Sequence, residues 1–343
     1  MAPPQTRFLE DSSTQPRPVS TVPLVLMRAR PLLLVPIVAT ICGALLVFAG
    51  SGTMAERTTA TASGPYSITR AKSPPRSIVR DAGGAWVATF TDRTRTVALA
   101  GPVRRFEEAA ANPVASTTWV RTLAVPFAGT VDVGWLDRAR ADRSPDVLAT
   151  ALQYVAGSSD RTGASGLLIA GDASYGPFQP NRTRKKGADW NDFQGVLGVY
   201  GTTVDPPEPE QLSSLDCSGF VRMLWGVRFG IPLVLDPDGG ASLPRRSAQQ
   251  ASSAPGIVPI SNAAQQVTEF GRLQAGDLVF FDASGGSAID HVGVYLGLDT
   301  AGHRRFISSR KSADGPTMGD LRGASLLDGT GLYARSFRST RRL

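Results

Sequence analysis

Two cysteines and two histidines are all the chain holds, and one of each stands where chemistry can use it. Cys217 lies in Asp216-Cys217-Ser218-Gly219-Phe220, which runs into Phe220, Val221, Met223, Leu224 and Val227, spaced for one buried helical face. Gly230 and Pro232 close that helix. Cys217 therefore falls in its first turn, where unpaired backbone N–H groups and the helix dipole favour an anion. The expectation is a thiol with a pKa below its ordinary value of about 8.5. A cysteine in an apolar helix can equally be a small buried hydrophobe, and its surroundings must decide.

A thiolate nucleophile needs a base that takes its proton and returns it to the leaving amine. His291 heads the strand-like run His291-Val292-Gly293-Val294-Tyr295-Leu296-Gly297, and His303 sits in the polar turn before Arg304 to Ser309. If that hairpin turns near residues 299 and 300, His291 faces Ser308 or Ser309. His303 then lies roughly 16 Å along the strand, as a turn residue rather than a partner. Ser308, or Ser309 one register off, is the third polar group.

The elements that must position these groups can be taken in chain order. Residues 1–30, rich in Pro, Ser and Arg, read as a disordered cytoplasmic tail. Residues 31–50 read as a transmembrane anchor or signal. The uncharged stretch 32–50 is long enough to cross a bilayer, and Arg17, Arg28 and Arg30 before it place the residues beyond 52 outside the cell. An uncleaved anchor is expected, with secretion after cleavage near Val47 and Ala49 as the alternative. Either way Cys217 is exported with no cysteine beside it to pair with, which favours a reactive thiol over a structural one. Residues 51–83 read as a spacer. Residues 84–157 read as a small β/α unit: a hairpin of Trp86–Phe90 and Thr96–Leu99, a strand within Val120–Phe127, and a helix capped by Ser144 with Pro145 first inside. Residues 158–186 read as a linker. Residues 187–343 combine the Cys217 helix with several consecutive antiparallel strands, an α+β arrangement.

The formal charge of +7 suits an anionic partner, and Arg104, Arg105, Arg121, Arg138 and Arg140 could meet a wall polymer. Nucleic acid fits the charge but neither the exported topology nor the absence of an aromatic-interleaved basic motif. No Cys/His array has metal-ligand spacing, so neither metal nor cofactor is expected.

Four motifs stand in one order: Asp216 to Phe220, Leu243-Pro244-Arg245-Arg246-Ser247-Ala248-Gln249-Gln250, Gly276-Asp277-Leu278-Val279-Phe280-Phe281 and His291 to Gly297. Residues 187–343 thereby resemble the NlpC/P60 cysteine peptidases. The resemblance implies a reduced papain-like fold and cleavage of peptidoglycan stem peptides, typically at the bond from D-γ-glutamyl to the following diamino acid. It implies Cys217 as nucleophile, His291 as general base and acid, and backbone N–H at the helix start as oxyanion donor. It further implies that Tyr200 (of Tyr200-Gly201), Asp216, Ser218 and Ser247 line the subsite for the peptide's amino end. Asp216, Ser218 and Ser247 can alternatively serve only as helix caps. Two features depart from the pattern. Ser308 stands where the family usually has a third catalytic His, which leaves open an inactive wall-binding or scaffold protein. Cys217 and His291 are far apart in sequence, with the extra length in 236–243 and 255–270, and residues 251–270 could act as a flap. Thioester chemistry also admits an amidase or acyl transferase.

Overall fold

The antiparallel pairing that dominates the chain starts earlier than its composition suggests. The computed structural model describes residues 60–109, 111–319 and 325–343. The expected tail 1–30, the apolar segment 31–50 and residues 51–59 lie outside these. Among the described residues no helix is long and apolar enough to cross a membrane.

The first six strands form a sequential antiparallel meander: β1 (Ala60–Ser63), β2 (Tyr66–Lys72), β3 (Pro75–Asp81), β4 (Trp86–Thr91), β5 (Thr96–Phe106) and β6 (Val114–Thr122). β4 and β5 pair through Ala88 with Leu99 and Phe90 with Val97, the hairpin the sequence suggests. Two expectations change. Residues 60–81 are strands rather than spacer, because a sheet with one solvated face needs only alternate apolar residues; Ser77 and Val79 point inward while Arg76 is half-buried and Arg80 exposed. The third strand ends at Thr122 rather than running on to Phe127.

Helix α1 (Val133–Ala141) closes the meander's inner face by burying Leu136 against Val79, Val87, Phe90 and Val97. Helix α2 (Val147–Ala151) is capped by Asp146 and not by Ser144. The Asp146 carboxylate accepts from Ala149 N–H at 3.0 Å and also from Val120 N–H at 2.6 Å and Arg104 at 2.5 Å. A serine hydroxyl cannot hold three such donors at once, so Pro145 lies outside the helix.

The segment 158–186 is packed rather than a loose linker. Its short strands β7 (Arg161–Thr162) and β8 (Leu168–Ala170) pair, and Ala173 and Tyr175 are buried. Then come α3 (Trp190–Gln194), the ribbon β9 (Gly198–Tyr200) and β10 (Thr203–Asp205), α4 (Cys217–Arg222) and α5 (Ser247–Ser253). The α4 helix continues as a π-turn over Met223–Arg228, and Gly230, at φ 68°, ends it. Its apolar face is buried from Phe220 to Trp225.

The second sheet runs β14-β13-β12-β11-β15, from β11 (Leu278–Phe281), β12 (His291–Leu298), β13 (Arg304–Arg310), β14 (Gly315–Thr317) and β15 (Phe337–Arg341), with α6 (Leu332–Ser336) leading into β15. One core joins α4 (Phe220, Leu224) to this sheet (Phe280, Val292, Val294, Ile307), to α2 (Leu148) and to β6 (Val120). The molecule is thus mixed α and β with antiparallel sheets.

Candidate active site

The site is assembled around the cap of α4. Asp216 accepts from Gly219 N–H at 2.8 Å, Ser218 Oγ at 3.1 Å and Arg245 Nη1 at 3.2 Å on one oxygen. The other oxygen accepts from Gly187 N–H at 3.1 Å and Arg245 Nη2 at 2.9 Å. Burial pushes this carboxyl up, but Arg245 and the two backbone donors outweigh it and hold Asp216 below the usual carboxylate range. Ser218 Oγ also accepts from Arg245 Nη1 at 2.8 Å. Gly219 is dictated by close approach: a Cβ there would meet Ala188 O at 2.2 Å.

Behind the cap lies a buried ion pair. Arg222 Nε meets Asp189 at 2.9 Å, and its Nη2 donates to Tyr200 Oη at 2.5 Å. Trp190 Nε1 also donates to that hydroxyl, at 2.9 Å.

Cys217, 6 % exposed, comes directly after the cap. The Val292 N–H, next after His291, is among the groups that pull the thiol pKa down, and Val292 of β12 shares one core with α4. His291 is 7 % exposed. Its ring stacks on Tyr333 of α6 at 4.8 Å and lies 5.8 Å from Phe281. His291 Nε2 lies 3.0 Å from Ser308 Oγ.

The pairing that creates this contact differs from the simplest hairpin count. Val294 pairs with Ile307 and Tyr295 with Phe306, and a bulge occurs at Leu296. Extended down the ladder, that register puts Arg310 across from His291, with Ser308 a diagonal neighbour on the same face. Ser309 points the other way and donates to Leu215 O at 2.5 Å. His303 is an exposed turn residue, 3.4 Å from Asp328.

The resting electrostatics reverse the expectation of a lowered thiol pKa. Burial, then the Asp216 charge, push the Cys217 thiol up to about 12, against the weaker pull of Val292 N–H and Arg245. Burial, then Arg310, push the His291 imidazole down to about 3. Desolvation of the buried thiol outweighs what the first turn of α4 offers an anion. Cys217 and His291 are therefore both neutral at pH 7.

A cavity of about 480 Å³ opens over Cys217, within the range that holds small ligands. Asp216, Ser218 and Ser247 line it, as do Arg245, Lys186 and Asp290. Tyr200 does not; its hydroxyl is committed to Arg222 and Trp190. Tyr175 takes a place in the lining instead. It too belongs to a Tyr-Gly pair, and Gly176, at φ 149°, packs against Lys185 O, where a Cβ would come within 2.5 Å. Burial, then Cys217 and Asp216, push the Tyr175 phenol far above its usual range. The repeated dipeptide was a signal available in the sequence. Arg310 and Tyr333 carried none.

Residues 251–270 contribute nothing to this lining. Ile260, Val267 and Phe270 pack instead with Phe337 on the far side of the second sheet. Among the arginines that could meet a polymer, Arg104 and Arg121 are committed to Asp146 and Asp142 at 2.5 and 3.3 Å. Among the described residues no cluster of His, Cys, Asp or Glu could hold a metal ion.

Residues 199–325 match the model of the NlpC/P60 family. This part of the chain is an NlpC/P60 domain. The family comprises peptidoglycan hydrolases and cysteine peptidases. No curated protein and no solved structure matches the chain. The NlpC/P60 match takes in Cys217, His291 and Ser308, and it leaves Tyr175 and Tyr333 to flanking segments.

Proposed function

We propose that the chain is an extracytoplasmic cysteine endopeptidase acting on peptidoglycan stem peptides at the D-γ-glutamyl bond to the diamino acid. The observation that carries this reading is the cavity over the buried Cys217 thiol, lined by Asp216, Ser218 and Ser247, together with the His291 imidazole whose Nε2 lies 3.0 Å from Ser308 Oγ. Cys217 opens on that cavity, and His291, with Nε2 taken up by Ser308, keeps Nδ1 as the nitrogen for proton exchange. The layering of α4 on β12 supports a reduced papain-like arrangement. The uncharged stretch 32–50 supports action outside the membrane, either anchored or after cleavage.

In this mechanism Cys217 Sγ attacks the scissile carbonyl carbon while its proton passes to His291. The carbonyl π electrons move to oxygen, held by backbone N–H groups of the first turn of α4. Collapse breaks the C–N bond, and the amine leaves with the proton from His291. Water then attacks the thioester carbonyl, giving a proton to His291; collapse breaks the C–S bond and releases the carboxylic acid, and the proton on His291 returns to sulfur to restore the thiol. A neutral thiol and neutral imidazole suit transfer of the proton in step with attack, rather than a preformed ion pair. Lys186 at the cavity complements a carboxylate of a stem peptide.

A second reading is favoured by the same neutrality: a wall-binding protein on this fold that no longer cleaves. An amidase or acyl transferase would share the thioester and differ only in the acceptor. Mass spectrometry of defined muropeptides incubated with the purified chain, Cys217→Ala and Ser308→His separates these. Cleavage by the parent and none by Cys217→Ala is the expected result. Silence of parent and Ser308→His alike, with sacculus binding retained, would establish the binding protein instead.

A further inference from the structure

A serine hydroxyl has one proton to give and two lone pairs to offer. Among the described residues Ser308 Oγ has two side-chain partners: His291 Nε2 at 3.0 Å and Arg310 Nε at 2.9 Å. An arginine only donates, so one lone pair of Ser308 is taken by Arg310. Ser308 is fully buried. The acceptor that remains for its proton is His291 Nε2. A neutral imidazole that accepts at Nε2 carries its own proton on Nδ1, the nitrogen otherwise left to take a proton from the thiol.

We propose that Arg310 is a positioning residue that acts through Ser308 to hold His291 in the Nδ1–H tautomer, keeping the Cys217 site latent until that hydrogen bond is rearranged. The inference rests on the reading of Cys217 and His291 as the working pair. A carboxylate or imidazole in the position of Ser308 would accept from Nε2–H and favour the imidazolium. Ser308 loaded by Arg310 does the reverse. To meet an imidazolium it must accept from both neighbours and give up the partner of its own proton.

Arg310 is built into this position. It is 2 % exposed, its guanidinium lies 4.9 Å from the Phe306 ring and 5.0 Å from the Tyr333 ring, and Nη1 donates to Gly319 O at 3.3 Å. Tyr333 is the ring that stacks on His291. The charges around the imidazole do not act alike. Arg310 from β13 disfavours its protonation, while Asp290 beside it and Asp216 at the α4 cap favour it. Asp290 is held by the N–H groups of Ala283 and Ser284 at 2.7 and 2.8 Å. Cys217 and the Tyr333 phenol, both raised to about 12, stay neutral over the relevant range.

The test uses the full chain and needs no substrate, so its failure is distinct from a failure to cleave muropeptides. Imidazole ¹⁵N shifts of His291 report the tautomer directly. Protonated Nδ1 with bare Nε2 is expected at pH 7; the opposite tautomer overturns the proposal. Arg310→Met should raise the His291 titration midpoint and speed iodoacetamide labelling of Cys217 at pH 7 by about tenfold, the equivalent of one pKa unit. Arg310→Lys, which keeps a buried cation and donor, should restore the slow rate. A folded Arg310→Met with unchanged midpoint and labelling would also overturn it. Should that variant not fold, the tautomer of the unaltered chain still decides.

Discussion

Asp216 and His291 are buried within the same site and held in opposite ways. Asp216 keeps its charge because five donors converge on it, whereas His291 stays neutral because burial and Arg310 both oppose a proton. That neutrality has a pH signature. The His291 pKa falls from an unfolded value of 6.5 to about 3, so between those values the unfolded chain binds a proton that the folded chain does not. The contribution to stability is complete above pH 6.5 and is lost as the pH falls toward 3. Urea unfolding at pH 7 and pH 4 should show a larger loss for the parent than for His291→Gln, bounded by about 1.4 kcal/mol per pH unit. Equal losses would rule out a buried neutral imidazole. At this scale the sequence was partly legible. Cys217 and His291 stand out because so few alternatives exist, and the strand alternation separates Ser308 from Ser309 once the register is fixed. Tyr200-Gly201 stands nearer to Cys217 in sequence than Tyr175-Gly176 does, and sequence distance says little about which Tyr-Gly reaches the cavity. The effect of burial on the thiol was hidden because it comes from a core shared with distant strands, Val292 of β12 and Ile307 of β13 among them.

Between elements, α4 fits tightly against residues 187–189. Gly219 has no side chain because Ala188 O would lie 2.2 Å and Asp189 Cα 2.9 Å from a Cβ, and these are backbone atoms that cannot swing aside. The same backbone supplies Gly187 O, which accepts from Arg245 at 2.6 Å. Gly219→Ala should lower stability by about 1–3 kcal/mol through overpacking and speed Cys217 alkylation as residues 187–189 are pushed off the cap. Unchanged urea midpoint and labelling would show that the loop yields at no cost. Apolar runs made α4, β11, β12 and β13 legible. β2 and β3 were not, because Arg, Ser and Thr on their solvated face imitate a polar spacer. α2 shifted because the competition between Ser144 and Asp146 for the cap is settled by Arg104 and Val120 on another element.

Across the molecule, the first sheet and the NlpC/P60 domain are stitched at several points. Glu108 binds Met318 N–H at 2.7 Å and the Thr317 hydroxyl, and Thr300 N–H reaches Pro113 O at 2.9 Å. At the other end Leu343 O accepts from the N–H groups of Arg95 and Thr96 at 3.0 and 2.8 Å. Arg342 meets the fully buried Asp277 at 2.7 Å and Thr91 at 3.0 Å. Removing residues 342–343 would leave Asp277 without its cation, at a cost of about 3–5 kcal/mol. The expected result is a thermal midpoint lowered by many degrees; one within a degree or two of the parent would mean the two sheets hold without this clasp. The clasp also sets an order of events. β15 is the last of the described strands, yet it pairs with β11, and the residues just after it close onto the turn between β4 and β5. The second sheet cannot be completed, nor the first clasped to it, while residues 337–343 remain in a ribosome or a translocation channel. His291 gains its stacking partner Tyr333 at almost the same moment. The thiol site is therefore among the last features of the chain to take shape, and a nascent chain that has only reached Cys217 and His291 carries both residues without the packing that surrounds them.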